Sequence, residues 1–252
     1  MELFVKADSI VRKIWGKGDT VLFIFAGAAA EFALNKAVDW LYFTGKLPSD
    51  PIGRLFSTVS YANKIVFSDY ESAVNTIDKI SFIHDKVEEQ RREQIPPEAY
   101  RDVLFMLIDY SIRSFELLER KLTTAEKEEI LHVFLRLGTK MSLSGLPKDF
   151  TEWIVMRNDH LQNNLAYSLY TEDLYKQYKK HLGITRYLIV KEAQQLIVPE
   201  KVNQLLSLGR IPFLLPFLKV YKWSRVLNLD KFLKDIILPS KYKKEIKALD
   251  VH

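Results

Sequence analysis

The chain is 252 residues long, 48% apolar, free of cysteine, and carries a net charge of +5. The missing cysteine excludes disulfides, thiolate haem ligation, iron–sulfur clusters and cysteine zinc sites, and is compatible with a cytoplasmic setting. Nine prolines, nine glycines and no repeat or low-complexity stretch leave no linker, so one compact domain over residues 1–252 is expected.

The first nineteen residues are amphipathic and mixed in charge, unlike a secretory leader. Ile10, Val11, Ile14 and Trp15 predict a short helix stopped by Gly16 and Gly18. Asp19-Thr20 then opens VLFIFAGAAAEFALNKAVDWLYF, the longest apolar segment. Its uncharged run from Thr20 to Ala30 is eleven residues, whereas a membrane span needs about twenty, so it reads as a core helix. Gly27, Ala28, Ala29 and Ala30 permit close approach by another helix or by a flat cofactor.

The stretch from Pro48 to Val87 predicts two helices meeting at a corner. Asp50-Pro51 opens the first, because aspartate caps free amides and proline is tolerated in a first turn. Arg54, Thr58 and Tyr61 follow at i, i+4 and i+7, which puts a cation, a hydroxyl and a phenol on one face. Ser68-Asp69 breaks and recaps the chain. In the second helix Ala73, Ile77, Ile80, His84 and Val87 form one inward stripe, while Asp78, Lys79, Asp85, Lys86 and Glu89 fall on a solvated face. Spacing leaves two readings of His84: a buried imidazole satisfied by hydrogen bonds, or an axial ligand to haem iron in an apolar pocket.

Beyond a charged connection, Pro97 to Arg120 predicts a long helix with Val103, Leu107, Tyr110, Ser114 and Leu117/Leu118 facing inward. Leu122-Thr123-Thr124 with Glu126 has the form of a capping box. Glu129 and His132 have the E-x-x-H spacing of di-iron bundles, but no second copy exists in the sequence. After Gly145-Leu146-Pro147, an inward face is formed by Phe150, Trp153, Ile154, Arg157, Leu161 and Leu165. His160 beside Asp159 and Asn163 reads as solvated or capping. Glu172-Asp173 begins another helix, ending at His181-Leu182-Gly183. No Ser-His-Asp order, glycine-rich phosphate loop or H-E-x-x-H is present.

From Lys201 to His252 there are eleven Lys/Arg against four Asp/Glu. The run Ile211-Pro-Phe-Leu-Leu-Pro-Phe-Leu lies within it, so residues 211–247 read either as a peripheral membrane contact or as a core helix with a basic rim. No nucleic-acid-binding motif accompanies the charge, and no nucleic-acid partner is expected.

The order DP-x-x-R-x-x-x-T, a helix ending in VF-S-D, and a second helix with a late histidine resembles a known family (DUF2236), which includes the MpaB-type oxygenases and the bacterial latex-clearing, or rubber oxygenase, proteins. FELLERKLTTAEKEEIL, Gly145-Leu146-Pro147 and, more loosely, LFIFAGAAAEFALNKA continue the likeness over about Val21 to Leu182. The resemblance implies an all-α, single-domain, globin-like bundle of about ten helices binding b-type haem. It implies His84 as the iron ligand and Arg54, Thr58 and Tyr61 at the cofactor, with Arg54 and Thr58 also in the catalytic pocket. The substrate it implies is small and lipophilic, an isoprenoid being one such molecule, acted on with dioxygen. Ser57 stands where rubber-cleaving members carry a lysine, Tyr42 to Gly45 replace a His-Ser-Asp/Asn-Phe-type stretch, and Phe134 and Leu135 stand near a missing glutamate. The resemblance thus carries the haem site further than a polyisoprene substrate. A haem-binding sensor, or a cofactor-free interaction protein of the same fold, are the alternatives.

Overall fold

The computed structural model describes residues 2–45 and 49–226. Eleven α-helices are found among the described residues: α1 Ile10–Trp15, α2 Gly18–Phe32, α3 Asp39–Phe43, α4 Pro51–Phe67, α5 Tyr70–Arg91, α6 Pro97–Leu118, α7 Thr124–Lys140, α8 Phe150–Asn163, α9 Leu169–Ile197, α10 Glu200–Leu206 and α11 Leu215–Val226. The only extended pairings among them are two isolated bridges, Leu3 with Asp69 and Asn35 with Leu165. The expected all-α architecture is therefore present. Most of the basic segment, from residue 227 on, lies outside the described residues, as does Pro48.

Local chemistry sets the corners. Asp50 Oδ1 accepts from the Gly53 amide at 3.0 Å to start α4, and Asp69 Oδ1 accepts from the Ser72 amide at 2.9 Å to start α5. Thr123 and Glu126 form the expected capping box ahead of α7. Two boundaries differ from expectation. Gly18 opens α2 rather than ending α1, and the apolar segment stops at Phe32 instead of continuing to Phe43. The stop is tertiary: the Lys36 amide donates to Asn164 O, the Ala166 amide donates to Leu34 O, and Asn35 Oδ1 accepts from the Ala37 amide. Gly183 does not end its helix. It holds φ 73° inside α9, a left-handed value that kinks the helix, and the chain then continues to Ile197.

Helix α2 is central, packed most extensively on α6 and then on α9. Gly27 lies against the Tyr110 ring of α6, where any Cβ would collide with Cδ1 and Cε1. Ala30 is fully buried, whereas Ala28 and Ala29 face a cavity. The small-residue run thus serves both a helix contact and an open wall. Inside the bundle, the Arg157 guanidinium donates to Glu31 Oε1 at 2.5 Å and Oε2 at 2.6 Å, and to Asp109 Oδ2 at 2.9 Å. Tyr110 Oη donates to Glu31 Oε2 at 2.8 Å.

His160 is neither solvated nor a cap. It is buried with Nε2 2.9 Å from Glu31 Oε1 and Nδ1 2.7 Å from Asp102 Oδ1, the latter contact too bent for a well-aligned hydrogen bond. Arg157, Trp153, Leu161 and Leu165 face inward as expected, but Ile154 is exposed, and Val103 of α6 is partly open to solvent. With His160 protonated, Glu31, Asp102 and Asp109 are balanced by Arg157, His160 and Arg113, the last bonded to Asp109 at 2.8 Å.

Burial alone would raise the Glu31 pKa, but the charges and hydrogen bonds of Arg157 and His160 hold it down at about 2. Burial likewise opposes the His160 cation, and Asp102 and Glu31 outweigh it, raising its pKa above the ordinary 6.5. Removing one partner of such a cluster strands buried charge. Arg157→Leu should lose about 3–5 kcal/mol in chemical denaturation. Because His160 is favoured as a cation when folded, its contribution is full below pH 6.5 and fades as pH rises through the folded-state value. The stability gap between the wild type and His160→Gln should accordingly be widest in mild acid and narrow toward alkaline pH, measured by denaturant midpoints across a pH series.

Candidate functional site

The four residues expected at a cofactor come together. Arg54, Thr58 and Tyr61 of α4 and His84 of α5 all line one cavity of about 360 Å³. The pattern of α4 explains this: Ile52, Phe56 and Val59 are buried in the core, leaving the Arg54–Thr58–Tyr61 face for the cavity. On α5, Ala73 and Ile77 are buried under the first turns, and Ile80, His84 and Val87 continue the stripe into the cavity wall. Phe25, Ala28, Ala29 and Phe32 of α2 and Leu107 of α6 supply apolar walls. Ser57 is not among the lining residues, whereas Phe134 is.

His84 does not match the reading of a satisfied core imidazole. Its Nδ1 is buried and has no hydrogen-bond partner. Its ring stands 5.1 Å from the Tyr100 ring at 58°. The nearby Glu88 is occupied elsewhere, accepting from Tyr100 Oη at 3.1 Å and from the Ile95 amide at 3.0 Å. Burial, and then the positive charge of Arg54, push the His84 pKa below 6.5 against the weaker pull of Asp85 and Glu88. At neutral pH the side chain is therefore an uncharged imidazole, the form that can donate a lone pair. A smaller, more polar cavity of about 180 Å³ also reaches His84, with Ser81, Asp85, Tyr100, Ser142 and Ser144 in its wall.

Arg54 is partly buried, and burial lowers its pKa while Tyr61 pulls it up. No carboxylate pairs with it among the described residues. A guanidinium desolvated beside an apolar cavity without a counter-ion favours an anionic group on whatever fills the space. Thr58 Oγ1 donates to Arg54 O at 3.2 Å, so its proton is turned to its own helix and its oxygen remains an acceptor.

The residues that spacing missed are Glu31, Asp102, Asp109 and His160 of α8, while Arg157 was expected inward but without its ion partners. Their cluster touches the cavity wall at Asn35, which lines the space and donates from Nδ2 to Asp102 Oδ2 at 2.9 Å. One signal pointed to it: an acid inside the most apolar helix must find a partner. The E-x-x-H pair is dispersed, with Glu129 Oε1 accepting from Ser9 Oγ at 2.5 Å and His132 exposed. Among the described residues, no cluster of three or more His, Cys, Asp or Glu could hold a metal ion, and no helix is long and apolar enough to cross a membrane.

A helical bundle around an apolar cavity, with one free imidazole and one unpaired guanidinium in its wall, defines a cofactor- or substrate-binding domain that meets its ligand through few polar contacts. The chain belongs to the family of ER-bound oxygenase mpaB/B'/rubber oxygenase catalytic domains, whose profile matches residues 12–218. No curated protein and no solved structure matches it. The match extends past both ends of the 21–182 region that carries the motifs, and membership makes the protein an enzyme of the oxidoreductase type.

The geometry predicts the titration of His84. By NMR its midpoint should fall below 6.5, and Arg54→Met should move it upward without restoring 6.5, because burial is the larger cause.

Proposed function

We propose that the protein is a haem b-dependent oxygenase, with one globin-like domain over 1–252, acting with dioxygen on a small lipophilic substrate of isoprenoid type. The observation that carries this reading is the buried, unpartnered Nδ1 of an uncharged His84 in the wall of an apolar cavity. A buried nitrogen without a partner is costly in a protein interior. An axial ligand needs what this side chain has: a neutral imidazole, apolar surroundings and no competing hydrogen bond.

The other residues present fit the same group. Arg54 would hold a propionate through charge-assisted hydrogen bonds, answering a cation that lacks a counter-ion. Ala28 and Ala29 leave a low wall on α2, against which a flat ring can lie. Haem, when bound, supplies the redox chemistry with dioxygen that the protein's side chains lack. The chain's own residues do the rest. Burial, aided by the charge of Arg54, keeps His84 uncharged, Thr58 offers an acceptor oxygen, and the Phe25–Phe32 wall excludes water from the lipophilic ligand.

The test is absorption spectroscopy on protein expressed with haem supplied. The wild type should show a Soret band that collapses in His84→Ala while circular dichroism stays unchanged. Equal bands in both would move the ligand elsewhere, and no band in folded wild type would refute the proposal. Arg54→Met should weaken haem affinity by about tenfold, the scale of one lost charge-assisted hydrogen bond. Oxygen uptake with an unsaturated lipid then distinguishes an oxygenase from a haem sensor.

A further inference from the structure

Helix α11 has two faces, and only one is used. On the inner face Leu218 is buried, Tyr221 Oη donates to Asp19 Oδ2 at 3.0 Å, and the Leu214 amide just before the helix donates to Glu192 Oε2 at 3.3 Å. These bonds tie the helix to Asp19 of α2 and the turn before it to Glu192 of α9. Outward, Phe213 in the turn before the helix and Phe217 and Val220 on the helix form an apolar stripe along the chain and are 77%, 64% and 66% exposed. Ile211 at 76% extends the stripe. Leu188, one turn before Glu192 on α9, and Ile184 one turn earlier are exposed as well. Large apolar side chains grouped like this on a water-facing surface mark a site of contact.

The charge around the stripe selects the partner. From Lys201 to Leu229 the sequence holds five Lys/Arg and no Asp or Glu. The eleven basic and four acidic residues of 201–252 exceed the net +5 of the whole chain, so the remaining 200 residues are net acidic. Positive charge is thus concentrated in the last fifth of the sequence, and α11 itself carries Lys219, Lys222 and Arg225 with no acid. A second copy of the chain would bring two such basic faces together, and the repulsion opposes pairing. A bilayer with anionic headgroups offers the opposite charge and an apolar interior at the depth of a phenylalanine side chain.

We propose that α11 and residues 209–214 dock the protein onto an anionic lipid surface, with Ile211, Phe213, Phe217 and Val220 inserted and the basic residues at headgroup level. This contact is independent of the haem reading, since protein lacking haem would bind equally. It is tested by flotation of the full chain with phosphatidylcholine vesicles, with and without phosphatidylglycerol, comparing the wild type with Phe213→Glu/Phe217→Glu. Both substituted positions face water, so the variant should keep the wild-type Tm and circular dichroism. The wild type should partition to the anionic vesicles about tenfold or more over the neutral ones, lose binding in high salt, and lose it in the double variant. Failure to float, equal binding to neutral vesicles, or unchanged binding by the variant would overturn the proposal. So would a dimer in light scattering that the double variant dissociates, which would assign the face to a second copy.

Discussion

The bundle depends on what is done with one carboxylate. Glu31 lies in the last turn of the most apolar helix, fully buried, and ionised only because Arg157 and His160 of α8 meet it there. Tyr110 of α6 gives it a third contact. A single charge therefore fixes how three helices stand relative to one another. Apolar residues of equal volume would stabilise the core at least as well, because ion pairs must first be desolvated. What the charges add is intolerance of error: a misdocked α8 leaves Glu31, Asp109 or Asp102 unpaired in the interior. The same helix α2 offers Ala28 and Ala29 to the cavity, so the placement of the site follows from the placement of the ions.

Much of this was legible in the sequence where the information is local. Asp50, Asp69 and Thr123 announce their helices because caps act over three residues. The faces of α4 and α5 follow from helical period, and Arg54, Thr58, Tyr61 and His84, which the family likeness puts at a cofactor, share one cavity. His160 was misread because its neighbours in sequence, Asp159 and Asn163, are polar, while its partners Glu31 and Asp102 lie far along the chain. The end of α2 was misread for a similar reason. Nothing in its own composition stops it at Phe32; backbone groups of Asn164 and Ala166 do, and they arrive only when the chain has folded back. The family likeness reached Arg54 and His84, but it could not show that Arg54 lacks a counter-ion or that His84 lacks a hydrogen bond.

Those two absences are linked. The charge of Arg54 helps to keep His84 neutral, and a neutral imidazole with an unoccupied lone pair is what a ligand to metal requires. The guanidinium in turn favours an anion in the cavity. One wall thus carries an uncharged imidazole and a cation without a counter-ion, and most of the remaining lining is apolar, with Asn35 and Thr58 among the exceptions. Such a cavity selects what it binds by shape more than by hydrogen bonds.

Gly183 joins these parts mechanically. Before it on α9, Tyr178 lines the cavity; after it, Glu192 holds the start of α11. The glycine has a positive φ and no heavy atom within 4 Å of where a Cβ would stand, so the chain turns there through its backbone with no side-chain contact at that position. Helix α9 is thus a pair of rods meeting at a glycine elbow, the first in the wall of the chamber through Tyr178 and the second tied through Glu192 to the turn that leads into α11.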